Sequence, residues 1–384
     1  MRTRQRGAMM VLSMALLLTL TSVAIFVFDL GRILLVRNEM QNAADAAALA
    51  GANCLTRAST TGSTVDCDST LAAALNWDRA EAKATDHLGS NSAANMPIRT
   101  DDDGHFIQTG YYNLLTRGPS GGSYSRTFSP LTVNDKPAVR VTVRKDQGVN
   151  DGPIFMLGRA MFGGLQNVTM WAEAVAVISS PSSVLPGSLI PQAINQCMFD
   201  RFWDSTTGTP KLYTGDNTGL PPDTWGLQTV GQPFVVRIGS AYHYDTCDSG
   251  QWTTFDRDAN SAAQVRDLVM NGNPNPLEIG DVSWIKPGTS NSNYNDLNNR
   301  FPNLPVDVSV LVVEGEGEGG TDLSHLPPDG RELEITAFAG FRITDIRGAS
   351  DKYIQGQFIP SNVTSGSSGI GPFFGTYTPP RIAR

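Results

Sequence analysis

Histidine and cysteine are scarce in this 384-residue chain, with four of each, and neither set clusters. His87, His105, His243 and His325 lie far apart and form no H-E-x-x-H or other paired-ligand spacing. That removes the usual zinc-hydrolase patterns and favours surface or locally hydrogen-bonded roles. No G-x-S-x-G elbow is present, and residues 365–369 (SGSSG) have the composition of a flexible loop. Basic residues are in deficit: 29 Lys and Arg against 37 Asp and Glu give a formal charge of -8. Phosphate backbones need a clustered basic surface, so no nucleic-acid partner is expected. No catalytic residue, metal ligand or cofactor emerges, and the chain reads as a non-enzyme.

Long apolar runs are also missing, with one exception at residues 8–28, AMMVLSMALLLTLTSVAIFVF. About 20 apolar residues rising ~1.5 Å each span a hydrocarbon core. Arg2, Arg4 and Arg6 precede the run, and mixed charges follow it at Asp29, Arg32, Arg37 and Glu39. The positive-inside rule then puts the amino terminus in the cytoplasm and everything after Phe28 outside. The competing reading is a cleaved signal peptide, with Ser22 and Ala24 as the small residues of the cut site. Against it, apolar character continues through Phe28 and helix-compatible sequence runs on beyond.

The cysteines fit the outside compartment. Cys54, Cys67, Cys197 and Cys247 fall as a close pair and a distant pair without a C-x-x-C, a pattern of disulfides rather than a metal site. Three connectivities are open. Cys54 with Cys67 and Cys197 with Cys247 is favoured, because each pair closes a loop within one unit. The shorter loop would stabilise by about 3 kcal/mol in the chain-entropy model.

Residues 29–55 contain no proline and are rich in helix formers, so the helix is predicted to leave the membrane and reach about residue 55. Its length would be ~70 Å, with Gly31 as the weak point. Leu30, Leu34, Arg37, Met40, Ala44, Ala47 and Gly51 recur at helical spacing and narrow toward small residues. Ala44, Ala47, Ala48 and Gly51 are therefore the candidates for close packing against partner helices. A second helix is predicted over 69–88. AVRVTVR at 138–144 alternates as a strand with one buried face, Val139, Val141 and Val143. A short amphipathic helix is predicted over 154–162, stopped by Gly163 and Gly164, then a strand over 168–178.

The polar run SSPSS at 179–183 marks a boundary. The organisation expected is a basic cytoplasmic tail (1–7), an anchor (8–28), an extension helix (29–56), a first α+β unit (57–180), a linker (181–186) and a β-rich unit (187–384). In the last, strands are predicted at 234–238, 306–313, 332–338, 341–346 and 353–359, and a helix at 259–270. The fold class is α+β: a transmembrane helix continuing outside the membrane, a mixed unit, and a mainly antiparallel, loop-rich carboxyl-terminal unit.

Two motifs look chemical and are not. Residues 315–320 (GEGEGG) match G-x-G-x-x-G, but two glutamates would repel a pyrophosphate and no helix pattern follows. An exposed turn is the better reading. Asp101, Asp102 and Asp103 lack the spaced ligands of a calcium loop and read as a solvated turn. Trp203, Trp225, Tyr242, Tyr244 and Trp252 concentrate in the second half, where core packing is the first expectation and a glycan groove the alternative.

Arg6-Gly7-Ala8 before the apolar run, DLGR (29–32) at its exit and QNAADAAALA (41–50) beyond it carry a resemblance. Together these segments resemble the start of the Tad/Flp pilus-assembly TadE/TadG-like family, TadG-like proteins in particular. Residues 138–141, 155–163, 172–177 and 338–341 are similar to later parts of such proteins. The resemblance implies an inner-membrane protein with a periplasmic body that serves assembly or anchoring of Flp-type pili. Its implied partners are the membrane and other pilus-assembly or pilin-like proteins, with oligomerisation open. Prepilin-like relatives are cut after a Gly and carry Glu at the fifth mature position; counted from Ala8 that position is Leu12, so cleavage at Gly7 is not expected. The D-x-S-x-S metal site of von Willebrand factor A relatives is completed neither at Asp307 nor at Asp281. A surface module binding glycan, peptidoglycan or protein is the alternative function.

Overall fold

The computed structural model describes residues 2–57, 67, 75–127, 132–160, 167–239, 250–255, 262–286, 291–314, 330–348, 352–369 and 371–383. In chain order its main elements are α1 (Arg2–Cys54), α2 (Trp77–Gly89), β1 (His105–Asn113), β2 (Asp135–Lys145) and β3 (Met170–Val177). Then follow β4 (Pro181–Val184), β5 (Gln192–Asn195), α3 (Gln196–Phe202), β6 (Val236–Gly239), β7 (Gly250–Phe255) and α4 (Ala262–Asn271). The chain ends with β8 (Val282–Lys286), α5 (Asn291–Arg300), β9 (Val306–Val313), β10 (Arg331–Arg347), β11 (Tyr353–Phe358) and β12 (Arg381–Ile382). The protein is α+β, with an apolar helix at its amino terminus.

α1 is one helix of 53 residues. Its apolar part is long and apolar enough to cross a membrane, with a mean hydropathy of 2.5 over an 18-residue window and none of that window buried. Gly31 does not interrupt it; a side chain there would meet nothing within 4 Å. Past Phe28 the same helix becomes part of the core. Met40, Ala43, Ala44, Ala47, Ala48 and Ala52 are buried, and they pack with α2 and with one face of a sheet.

That sheet is antiparallel in the order β12-β3-β2-β1. Its two faces follow the two-residue period of strands. Val139, Val141 and Val143 of β2 and Ala172, Ala174 and Ala176 of β3 face the helices. Arg140 and Glu173 face the other way and pair with each other. α2 starts at Asn76, whose side chain accepts from the Arg79 amide, and buries Ala80, Ala84 and Leu88 at helical spacing. The first six residues of the predicted second helix, 69–74, lie outside the described residues, and the observed helix begins at Trp77.

The second half is built around a closed circuit of five strands. β10 pairs with β8, β8 with β7, β7 with β5, β5 with β9, and β9 returns to β10. All pairings are antiparallel except β5 with β9. Ala193, Phe255, Ile285, Leu311, Val313, Leu333 and Ile335 share one cluster inside the circuit. A larger aromatic cluster lies outside it, under α3, α4 and α5. β11 extends β10, and β6 extends β11.

Several boundaries differ from the sequence reading. The two strands predicted at 332–338 and 341–346 are one strand, β10; Gly340 is there because the Gly375 carbonyl and Asn362 approach to within 2.6 and 2.7 Å of where its Cβ would stand. The segment expected as a linker is strand β4, which pairs with 277–278 and 366–368 and buries Val184. Its Pro181 sits at the strand's first residue, where a missing N–H is tolerated. The first sheet takes its last strand, β12, from the carboxyl terminus, so the two units are not consecutive in sequence. The predicted 154–162 helix is a single 3-10 turn at Leu157–Ala160, and 161–166 lie outside the described residues.

Gly51 is the tightest point of the helix–sheet joint. A Cβ there would lie 2.7 Å from the Ala80 carbonyl oxygen and 2.9 Å from the Ala84 Cβ. Backbone cannot yield as a flexible side chain does, so Gly51→Ala should destabilise the body by about 1–3 kcal/mol. Thermal melts of full-length protein in detergent micelles check this; an unchanged midpoint contradicts the joint described.

Candidate functional site

Where α1 leaves its apolar run, a buried carboxylate ties it to the body. Asp29 is 1% exposed and accepts from the Leu157 amide at 2.9 Å and the Gly158 amide at 2.8 Å. Arg32, one turn on, donates to the Phe155 carbonyl at 3.2 Å. Residues three apart share a helix face, so both side chains reach the same turn. Leu30 and Gly31 between them point away from it and are exposed. The signal for this clamp was the DLGR motif at the end of the apolar run. Further along, Glu39 accepts from the Ala94 amide at 2.7 Å.

The candidates for helix packing are placed differently from expectation. Ala44, Ala47 and Ala48 are each 0% exposed, and Gly51 is buried against Ala80, Ala84 and Val139. Their partner is the chain's own sheet and α2. The expectation that they meet another protein's helix is corrected, because no surface remains on that side. Small residues permit close backbone approach whether the neighbour is another chain or the same one.

The opposite face of α1 is open. Leu30, Leu34 and Leu35 are 46%, 52% and 57% exposed, and Arg37, Asn38 and Asn42 continue the exposed face. Beside it runs a groove of about 650 Å³ between α1 and β3, lined by Ile33, Arg37, Gln41, Asp45, Trp171 and Glu173. Gln41 spans it, donating to Asp45 at 2.8 Å and to the Glu173 carbonyl at 2.9 Å. β12 covers the outer edge of β3 only at Ala176 and Val177, and the Ala383 amide bonds the Val175 carbonyl. Toward Met170 no further strand pairs with that edge among the described residues.

Cys54 ends α1 and is disulfide-bonded to Cys67, with their Cα atoms 5.4 Å apart. Cys197 is disulfide-bonded too, and Cys247 lies outside the described residues. Arg2, Arg4 and Arg6 fall in the first turns of α1, and their side chains lie outside the described residues. So do 315–320, Tyr242, Tyr244, His243 and His325. Trp203 and Trp252 are core residues, whereas Trp225 is 47% exposed. The three are not gathered into a groove. Among the described residues no group of three or more His, Cys, Asp or Glu could hold a metal. Asp102 accepts from the Gly104 and Asn150 amides, as turn residues do.

A second cavity, of about 350 Å³, lies where the first sheet meets the second half, walled by Trp77, Tyr111, Phe373 and Tyr377. Lys136 reaches it and donates to Ser180 at 3.2 Å. Burial pushes the Lys136 ammonium down to about 8, with neighbouring Asp135 opposing. Burial likewise raises the Tyr111 and Tyr377 phenols. The sequence offered no sign of this cavity, whose walls come from segments far apart in the chain.

Residues 7–53 match the family model described as putative Flp pilus-assembly TadE/G-like, and residues 36–176 match the one described as putative Tad-like Flp pilus-assembly. No curated protein and no solved structure matches the chain. The two matched stretches overlap along the buried part of α1 and end inside β3. They cover the apolar run of α1, the clamp's helix side and most of the first sheet.

Asp29→Ala should free the turn it holds, since leaving two buried amides unpaired costs about 1–3 kcal/mol. Hydrogen exchange of full-length protein should then show the Leu157 and Gly158 amides opening about tenfold faster or more. Lys136 predicts a pH dependence. Its folded pKa near 8 lies below the ordinary 10.5, so below pH 8 the fold carries the whole cost of a buried charge. Between about 8 and 10.5 the unfolded chain binds more protons, and stability from this group rises with pH. Lys136→Met should be more stable near pH 7 by up to about 3 kcal/mol, a gap that closes toward pH 10. Denaturant titrations across that range measure it.

Proposed function

We propose that this chain is a non-enzymatic, membrane-anchored structural component of Flp pilus assembly, a reading supported by the matches of residues 7–53 to the TadE/G-like model and of residues 36–176 to the Tad-like model. The observation that carries the reading is the continuity of α1: one helix supplies both the apolar segment and the spine of the body. In this reading Arg2, Arg4 and Arg6 stay in the cytoplasm, α1 crosses the bacterial inner membrane once, and the disulfide-bonded body stands in the periplasm.

The partner surface is the exposed face of α1 at Leu30, Leu34 and Asn38 together with the neighbouring groove. A helix in the membrane of another assembly protein can follow α1 outward along that face, while the alanine face is already filled. Leu34→Gln keeps the helix and removes apolar contact worth about 1.5–3 kcal/mol if fully buried. It should leave insertion and the thermal midpoint unchanged, yet weaken association about tenfold or more and reduce piliation. Normal piliation and unchanged recovery of assembly partners would rule out this face. Membrane fractionation with protease added from the periplasmic side tests the topology. A soluble, shortened product would overturn the anchor.

A binding module is the second reading, and the aromatic-walled cavity beside Lys136 is the observation that favours it. Glycan or peptidoglycan retention by the full-length protein in micelles would distinguish it from a scaffold.

A further inference from the structure

The clamp at the membrane exit holds more than backbone. Asp29 follows the last apolar residue of the run directly, and Arg32 lies ~5 Å further along the helix axis. The headgroup zone of one leaflet is itself about 5–7 Å deep. The turn held by these two side chains is therefore fixed at the height of that zone. On this turn Phe155 and Leu157 are 52% and 43% exposed, Met156 between them is buried, and Arg159 is exposed. The alternation presents two large apolar side chains and a cation outward from one short segment. A backbone bridge between Ile154 and Val168 closes the segment onto the start of β3, so it cannot swing away as a free loop.

We propose that residues 155–159 form a second membrane contact, in which Phe155 and Leu157 enter the headgroup–acyl boundary of the leaflet from which α1 emerges. The occupant of this apolar patch is lipid, argued from its continuity with the apolar helix and from the pinned height. The proposal rests on the reading of α1 as a membrane span. Arg159 offers a partner for lipid phosphate, as basic residues do at interfaces. A body on a single helix is free to rotate about the membrane normal and to tilt. A second contact off the helix axis restricts the tilt, and with it the height at which the Leu34 face and the groove stand above the lipid, while rotation about the normal stays free.

Nitroxide depth measurement tests this on the full chain in vesicles of phosphatidylcholine and phosphatidylglycerol. No described cysteine is free, so Phe155→Cys and Leu157→Cys can be labelled singly, with unmutated protein as the blank. Leu20→Cys, inside the apolar run, marks the hydrocarbon. Leu115→Cys marks water: it is 77% exposed and follows β1 at the end of the sheet away from the clamp. The expected result is that labels at 155 and 157 collide more with oxygen and less with a water-soluble nickel chelate than the label at 115, shifting toward the values at 20. Matching thermal midpoints establish that each labelled protein is folded, and two positions guard against failure of one. Labels at 155 and 157 as accessible to nickel as the one at 115, with 20 protected, would overturn the proposal and leave the anchor standing. A label at 20 as accessible as that at 115 would overturn the anchor, and this contact with it.

Discussion

The fold depends on small side chains letting α1 lie close against the sheet. Alanines 43, 44, 47, 48 and 52 of the helix meet alanines 172, 174 and 176 of β3 and alanines 80 and 84 of α2. Each methyl contributes little area, so the joint draws on fit: dense dispersion contacts between backbones that only small residues allow to approach. Gly51 removes even the methyl where the Ala80 carbonyl arrives. The consequence is mechanical. The segment that is apolar enough for a membrane and the segment that organises the core are one helix without a hinge, so the orientation of one sets that of the other.

A buried carboxylate is costly without partners. Asp29 is satisfied by two backbone amides, and Arg32 uses a carbonyl of the same turn. The spacing in DLGR follows from the helix: positions one and four share a face and hold the turn, while positions two and three face outward. The motif is thus a joint between helix and body, and its residues need no chemistry beyond hydrogen bonding.

What the sequence disclosed was local and periodic. The apolar run, the continuous helix, the alternation in β2 and strands β9 and β11 were legible because each carries its own pattern. The alanine stripe was legible as a packing face, but its partner was not; small residues state how close a neighbour comes and not whose it is. α5, NSNYNDLNNR, has the composition of a loop, and it is helical because Tyr294 and Leu297 bury together on one side. Tertiary packing there overrides weak propensity. β4 hid in a serine-rich run, and the return of β12 to the first sheet is a long-range pairing that two residues cannot advertise. The clamp was visible as a motif and opaque as a mechanism, since its other half lies more than a hundred residues away.

The remaining asymmetry lies in the edge of β3. A strand edge with unpaired backbone groups invites indiscriminate pairing, and proteins usually cover or charge it. Here the carboxyl terminus covers the end far from the clamp, and the Gln41 side chain occupies the Glu173 carbonyl. The near end, toward Met170, opens into the groove beside α1. With α1 in a bilayer, that stretch lies within a few nanometres of the lipid surface, by the ~1.5 Å rise of the helix from Asp29 to Gln41. In the proposed topology, proteins held in the same membrane would meet it at high effective concentration, whereas soluble strands would first have to reach a surface shadowed by lipid on one side and the body on the other. In the proposed topology confinement would supply selectivity that the edge itself lacks, because the uncovered stretch of β3 is the one on the side of the clamp.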